Sequence, residues 1–151
     1  MKYKNPHSIL AVIYAENTGR VLMLRRRDDP AFWQSVTGSL EDGEFARQAA
    51  MREVKEETGI DIAAQRLNLI DCKDSIKFEI FPHFRYKYAP NVTHCTEYRF
   101  LLALPQEATP MLSEHSAYQW LEPQQAAAIT KSPNNAQAIK KYLINKSAVE
   151  K

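Results

Sequence analysis

An α/β fold is predicted by three features of this sequence. Ile- and Val-rich runs of strand length alternate with turn residues, one long amphipathic helix lies near the middle, and further helical patterning gathers towards the C-terminus. Residues 8–14 read as a buried strand, and Glu16-Asn17-Thr18-Gly19 as the turn that returns residues 20–25 as a second strand. Asp28-Asp29-Pro30 interrupts the pattern, and Phe32-Trp33 adds apolar surface. Ser35-Val36-Thr37-Gly38 is then a short extended piece ending in glycine. Residues 44–58 form the clearest helix, with Gly59 placed to stop it. Residues 67–70, 76–81 and 98–104 read as strands, the last ending at Pro105, which cannot donate another ladder bond. Residues 118–121 suit one more short strand. Residues 123–129 and 134–144 look helical, with Ser132-Pro133 between them. No repeat or linker-like tract divides residues 1–151, so a single domain is expected. Periodicity alone does not order the strands.

Composition narrows the function classes. A hydrophobic share of 44% supports a real core, and a charged share of 25% is ordinary for a soluble chain. A formal charge of +2 is too small to imply a nucleic-acid partner, although Arg25, Arg26 and Arg27 form a local cluster. Cys72 and Cys95 are far apart with no CxxC pair, which suggests reduced thiols and neither a disulfide framework nor a structural zinc site. The apolar run over residues 9–15 is too short for a membrane span, so a cytoplasmic protein without a membrane partner is expected.

The central helix carries the chemistry. Stepped at about 100 degrees per residue, Ala46, Ala49 and Ala50 share a face flanked by Val54, and Glu53 and Glu57 project within that arc. Arg47, Gln48 and Lys55 point away from it. Carboxylates four residues apart repel weakly in water, but turned towards the body of a protein each costs several kcal/mol unless compensated. A hard divalent cation supplies that compensation, since magnesium favours oxygen ligands from carboxylates together with substrate phosphates. Glu56 lies at the edge of the face, and Arg52 is placed to brace a carboxylate. A solvated acidic face, laced by Arg47, Arg52 and Lys55, is the plainer alternative. Gly38 and Gly43 weigh against it, because both suit a tight loop with its backbone near a ligand.

Gly38, five intervening residues, Glu44, seven more, then Arg52-Glu53-Val54-Lys55-Glu56-Glu57-Thr58-Gly59-Ile60 resembles the complete box of the Nudix hydrolases. That resemblance implies an α/β/α sandwich with a mixed sheet, in which residues 38–60 form a loop-helix-loop catalytic motif. It implies hydrolysis of a diphosphate linkage by attack of water on phosphorus. It also implies Glu53 and Glu57 as the leading Mg2+ ligands, Glu56 as an auxiliary one, Arg52 orienting the carboxylates and Glu44 stabilising the loop-helix junction. Mn2+ is a possible substitute for Mg2+, since oxygen ligands alone do not separate the two.

The box does not choose a substrate. The arginine cluster suits a polyphosphate or a plain solvated edge, and Phe32, Trp33, Phe78, Phe81, Phe84 and Tyr86 suit ring stacking or core. The four histidines show no metal-ligand spacing. Val21-Leu22-Met23-Leu24-Arg25-Arg26-Arg27-Asp28-Asp29-Pro30, Phe32-Trp33-Gln34-Ser35-Val36-Thr37-Gly38, Leu69-Ile70-Asp71-Cys72, Phe78-Glu79-Ile80-Phe81, Tyr88-Ala89-Pro90 and Glu114-His115 extend the likeness. They are similar to the branch of the family that acts on a pterin triphosphate in folate synthesis. This closer resemblance implies conversion of 7,8-dihydroneopterin 3'-triphosphate to its monophosphate and pyrophosphate. By it, Glu114 is a further acidic ligand and a candidate to activate water. Lys4, Arg26 and Thr37 contact the substrate, Phe78, Glu79, Ile80 and Phe81 line the site, and Ser132 closes another side. Arg25 and Arg27 are left outside. A nucleotide pyrophosphatase of broad or damaged-nucleotide specificity is the competing enzyme, and a non-catalytic nucleotide- or RNA-binding module the competing class. The intact Glu53, Glu56 and Glu57 set weighs against the latter. A small-molecule triphosphate is the expected partner, and the oligomeric state is left open.

Overall fold

Alternation along the first strand, β1 (His7–Ala15), decides the architecture. Ile9, Ala11 and Ile13 face one side and Leu10 and Val12 the other, and all are buried. A strand apolar on both faces needs cover on both. The structure is a computed structural model that describes residues 2–145, and it supplies that cover with helices. Ile9, Ala11 and Ile13 pack with Ala49, Ala50 and Val54 of α1 (Ala46–Thr58). Leu10 and Val12 pack with Ala126 and Ala127 of α2 (Pro123–Ile129) and with Ala138 and Ile139 of α3 (Pro133–Ile139). The result is the expected α/β/α sandwich. Among the described residues, no helix is long and apolar enough to cross a membrane.

The sheet is mixed. β1 runs parallel to β6 (His94–Leu104) from His7↔Thr96 to Ala15↔Leu104, and β6 pairs antiparallel with the edge strand β5 (Leu69–Glu79). The other edge of β1 is shared. It pairs with β4 (Val36–Ser39) from Ser8↔Ser39 to Ala11↔Val36, and with β2 (Val21–Arg26) only at Tyr14↔Val21. β2 in turn carries β3 (Trp33–Gln34) and β7 (His115–Leu121). Between β3 and β4 the chain crosses this fork at the buried Ser35. Its N–H donates to Asn135 Oδ1 at 2.7 Å, and Asn135 Nδ2 donates to Ser35 Oγ at 3.0 Å, which ties α3 to the fork.

Several boundaries differ from the sequence expectation. The central helix begins at Ala46 rather than residue 44, because the Glu44 carboxylate accepts from the Glu41 N–H and from Arg52. The runs expected at 67–70 and 76–81 are one strand, β5, with a register shift between Asp71 and Ser75. Lys73 sits there at φ 52, and Asp74 accepts from Tyr142 at 2.6 Å and Lys141 at 3.1 Å. Polar side chains that break the apolar pattern therefore mark a bulge and not a gap. Phe81 leaves that strand, and residues Pro82–Lys87 form a 3-10 turn opened by proline. β6 and β7 begin earlier than expected, at His94 and His115, and these added residues place the buried polar side chains of Glu97 and His115 in the sheet.

Candidate active site

α1 turns Glu57 inward, leaving it only 2% exposed, and neither of its carboxylate oxygens has a hydrogen-bond partner. Burial first, then the neighbouring Glu53 and Glu114, push its carboxyl well above the ordinary carboxylate range, against a smaller pull from the Thr37 backbone. Burial also raises Glu53, against the opposing pull of Arg52. The expected bracing by Arg52 is present in a modified form. Its guanidinium forks onto Glu44 at 2.8 and 2.9 Å, donates to the Ser39 carbonyl at 3.0 Å, and reaches Glu53 through Nη1. Glu44 is thus the anchor that aims Arg52 at Glu53.

Gly38 explains why glycine opens the box. A Cβ there would lie 2.3 Å from both Cδ and Oε2 of Glu53, so this carboxylate occupies the space a side chain would fill. Gly43 has a different reason: it turns the loop at φ 76 and has open space where its Cβ would stand. Glu56 and Glu114 are exposed at the rim.

These acids line one wall of a cleft of about 1030 Å³, and Lys4, Arg26, Thr37, Arg52, residues 78–81 and Ser132 also line it, whereas Glu44 does not. Lys4 enters beside Lys87, whose carbonyl accepts its N–H at 2.8 Å. Burial first, then Lys87 and Arg26, lower the Lys4 ammonium from its ordinary value, while Cys95 and Glu53 act the other way. Arg26 is partly committed: it forks onto Asp28 at 2.7 Å twice and lies over Phe84, 5.1 Å from the ring centroid. The Thr37 hydroxyl donates to the Ile9 carbonyl at 2.9 Å, and the Ser132 hydroxyl accepts the Asn135 N–H at 3.2 Å. Phe78, Glu79, Ile80 and Phe81 bring the end of β5 to the opposite wall. Arg27, left outside by the sequence reading, also lines the cleft, whereas Arg25 donates to Ser116 Oγ.

Several lining residues escaped the sequence reading. Lys87 belongs to a 3-10 turn with no periodic signature, and its ammonium lies 4.9 Å from the Phe84 ring centroid. His115 is buried, with Nε2 3.8 Å from Glu57 Oε1 and 3.3 Å from Gln34 Nε2. Burial, then Arg26, lowers its pKa. Glu97 on β6 is buried beneath the same cleft. Only its strand register would have placed it there.

A hard divalent cation fits this chemistry. The donors are carboxylate oxygens, and Glu57 is a buried acid without a partner, which a cation would satisfy. Among the described residues, however, no three acidic, histidine or cysteine side chains already converge as a ligand group. Glu53 is engaged by Arg52, and Glu56 and Glu114 stand at the rim.

The NUDIX domain family model matches residues 4–142. The chain belongs to the Nudix family. Among Nudix relatives, it is 62% identical over 143 residues to the dihydroneopterin triphosphate diphosphatase of Escherichia coli K12, covering 95% of each chain. It is 56% identical over 145 residues to the enzyme of that name from Haemophilus influenzae, covering 96% of this chain and 92% of the other. The structure of the E. coli dihydroneopterin triphosphate pyrophosphohydrolase superimposes with a TM-score of 0.93 at 61% identity, covering 96% of this chain and 99% of that one. A Caenorhabditis elegans Ap4A hydrolase shares the Nudix fold at a TM-score of 0.72 and 23% identity.

Proposed function

We propose that this Nudix hydrolase converts 7,8-dihydroneopterin 3'-triphosphate and water to dihydroneopterin monophosphate and pyrophosphate, a step of folate synthesis. The observation that carries the reading is the 62% identity, over 95% of both chains, to a relative that bears that activity in its name. The cleft supports it, with acids on one wall and a cationic group of Lys4, Arg26 and Lys87 beside them. That charge arrangement suits a polyphosphate.

In this reading Lys4, Arg26 and Lys87 bind the phosphate chain and orient it along the cleft. Glu53 and Glu57 would hold Mg2+, with Glu56 and Glu114 available as further oxygen donors and Mn2+ as a substitute. When bound, the ion neutralises phosphate oxygens and lowers the pKa of the attacking water. Arg52, held by Glu44, keeps Glu53 in place. Glu114, exposed at the rim and near enough to Glu57 to act on its charge, accepts the proton that water gives up. Thr37 and Ser132 close the cleft from the sheet and α3 sides, and Phe78, Glu79, Ile80 and Phe81 shape the wall against which the ring rests. The reading places the enzyme in the cytoplasm with a small-molecule substrate.

The test is steady-state hydrolysis of freshly made dihydroneopterin triphosphate beside ribo- and deoxynucleoside triphosphates, with Mg2+ and with chelator, measuring pyrophosphate and phosphate separately. The expected result is metal-dependent release of pyrophosphate with kcat/KM highest for the pterin. Equal or better use of a common nucleoside triphosphate would move the role to nucleotide housekeeping.

A further inference from the structure

Glu97 has no part in the chemistry described above, yet it is only 7% exposed and lines the cleft. Its Oε1 is buried without a hydrogen-bond partner. A buried carboxyl left in this condition costs stability, and the counter-charge Arg99 makes no hydrogen bond to it. Burial pushes it up to about 7, partly offset by Arg99. Arg99 Nη1 and Nη2 are spoken for, donating to Asp74, Gln137 and the Asn134 carbonyl, while its Nε is buried without a partner.

Register shows which way Glu97 points. It pairs with Ser8 on β1 and with Ile76 on β5, and its second neighbour Cys95 pairs with Phe78. Directly paired residues and alternate residues on a strand share a face. Ser8, Cys95, Glu97 and Phe78 therefore form one floor, on the side of the sheet covered by α3. Lys4 lines the same cleft and is near enough to both Cys95 and Glu53 for each to act on its charge. The cleft thus joins two kinds of surface. One gathers cations and the box carboxylates, and the other is a mostly uncharged floor holding one acid and an aromatic ring.

We propose that Glu97 reads the fused ring of the substrate, its carboxylate accepting hydrogen bonds from the ring N–H and the 2-amino group of a 2-amino-4-oxo edge. This rests on the reading that the substrate is a pterin triphosphate, whose edge matches that of guanine. Both rings present two adjacent donors to an acceptor-only group, and a carboxylate with two oxygens satisfies them together. Adenine presents an acceptor at the corresponding ring nitrogen and so does not match. Phe78, on the same floor, offers its ring face to the heterocycle.

Replacement of Glu97 by Gln turns one acceptor into a donor while preserving shape, and its effect is read from kcat/KM with Mg2+. The substrates are dihydroneopterin triphosphate, dGTP, dATP and dITP, which lacks the 2-amino group. For Glu97→Gln, kcat/KM on the pterin falls about 30-fold or more, and the dGTP-to-dATP ratio falls by a similar factor. In wild type, exchanging dGTP for dITP costs about tenfold, and that cost shrinks to about twofold in the variant. A parallel loss on all four substrates, or no loss, overturns the assignment. Glu97→Asp, which keeps the charge and shortens the reach, gives a partial loss with the same selectivity and serves if the Gln variant does not fold. The two readings fail separately. Preference of wild type for dGTP over the pterin, with selective loss in Glu97→Gln, overturns the substrate and keeps Glu97. Preference for the pterin that Glu97→Gln leaves intact does the reverse.

Discussion

Glu97 loses hydration on folding and gains no hydrogen bond at Oε1, so its carboxyl stands at about 7, against an ordinary 4.5. Between those two values the folded chain keeps a proton that the unfolded chain has released. Stability therefore falls as pH rises through this window, and above it the loss is constant at on the order of 3 kcal/mol. Glu97→Gln, which carries no titrating proton, is expected to match wild type in Tm near pH 4.5 and to exceed it by about 5 °C or more at pH 8. Equal Tm differences at both pH values would show that Glu97 does not titrate in this range. The residue was not legible in the sequence, where it stands among polar neighbours, His94-Cys95-Thr96, ahead of the apolar run. Alternation separates two faces of a strand but does not say which face opens onto a cleft. Glu53 and Glu57 were legible because helical spacing turned two acids towards alanines, a conflict that needed a chemical reason.

At the level of elements, the junction between β4 and α1 sets the position of one carboxylate. Gly38 contributes no side chain, Glu53 fills its space, and Arg52 holds Glu53 from the far side. Gly38→Ala must displace the Glu53 carboxyl, which ends a flexible side chain, so the fold tolerates it better than the chemistry does. We expect kcat/KM to fall about 100-fold with a Tm loss of only a few degrees. Unchanged kcat/KM would mean that the Glu53 position is not used. Element existence was read well from sequence: the strands, the central helix and the two C-terminal helices all appear. Boundaries slipped where polar side chains took tertiary roles. Glu44 left the helix for Arg52, and Asp74 drew Tyr142 and Lys141 onto a bulge that joined two expected strands. The 3-10 turn with Lys87 has no period to reveal it.

For the whole molecule, the three layers bury an acid that a cation would satisfy, so on the proposed reading metal binding and folding should be coupled. Mg2+ at about ten times its dissociation constant is expected to raise Tm by about 3–5 °C in wild type. In Glu57→Gln that rise should vanish, and turnover should fall by about a thousandfold or more. Retention of either in the variant would remove Glu57 from the ligand set. The layer architecture was legible because β1 is apolar on both faces. The cleft was not, because its walls come from distant stretches joined only by strand register.

The tie between Ser35 and Asn135 gives this last point a time dimension. β1 waits for β6 to find its parallel partner, and the crossing at Ser35 waits for the first turn of α3. During synthesis the box helix leaves the ribosome early, acids exposed, while the surfaces that bury them are still being made. Glu57 therefore gives up its water only once β7, late in the chain, brings His115 beside it.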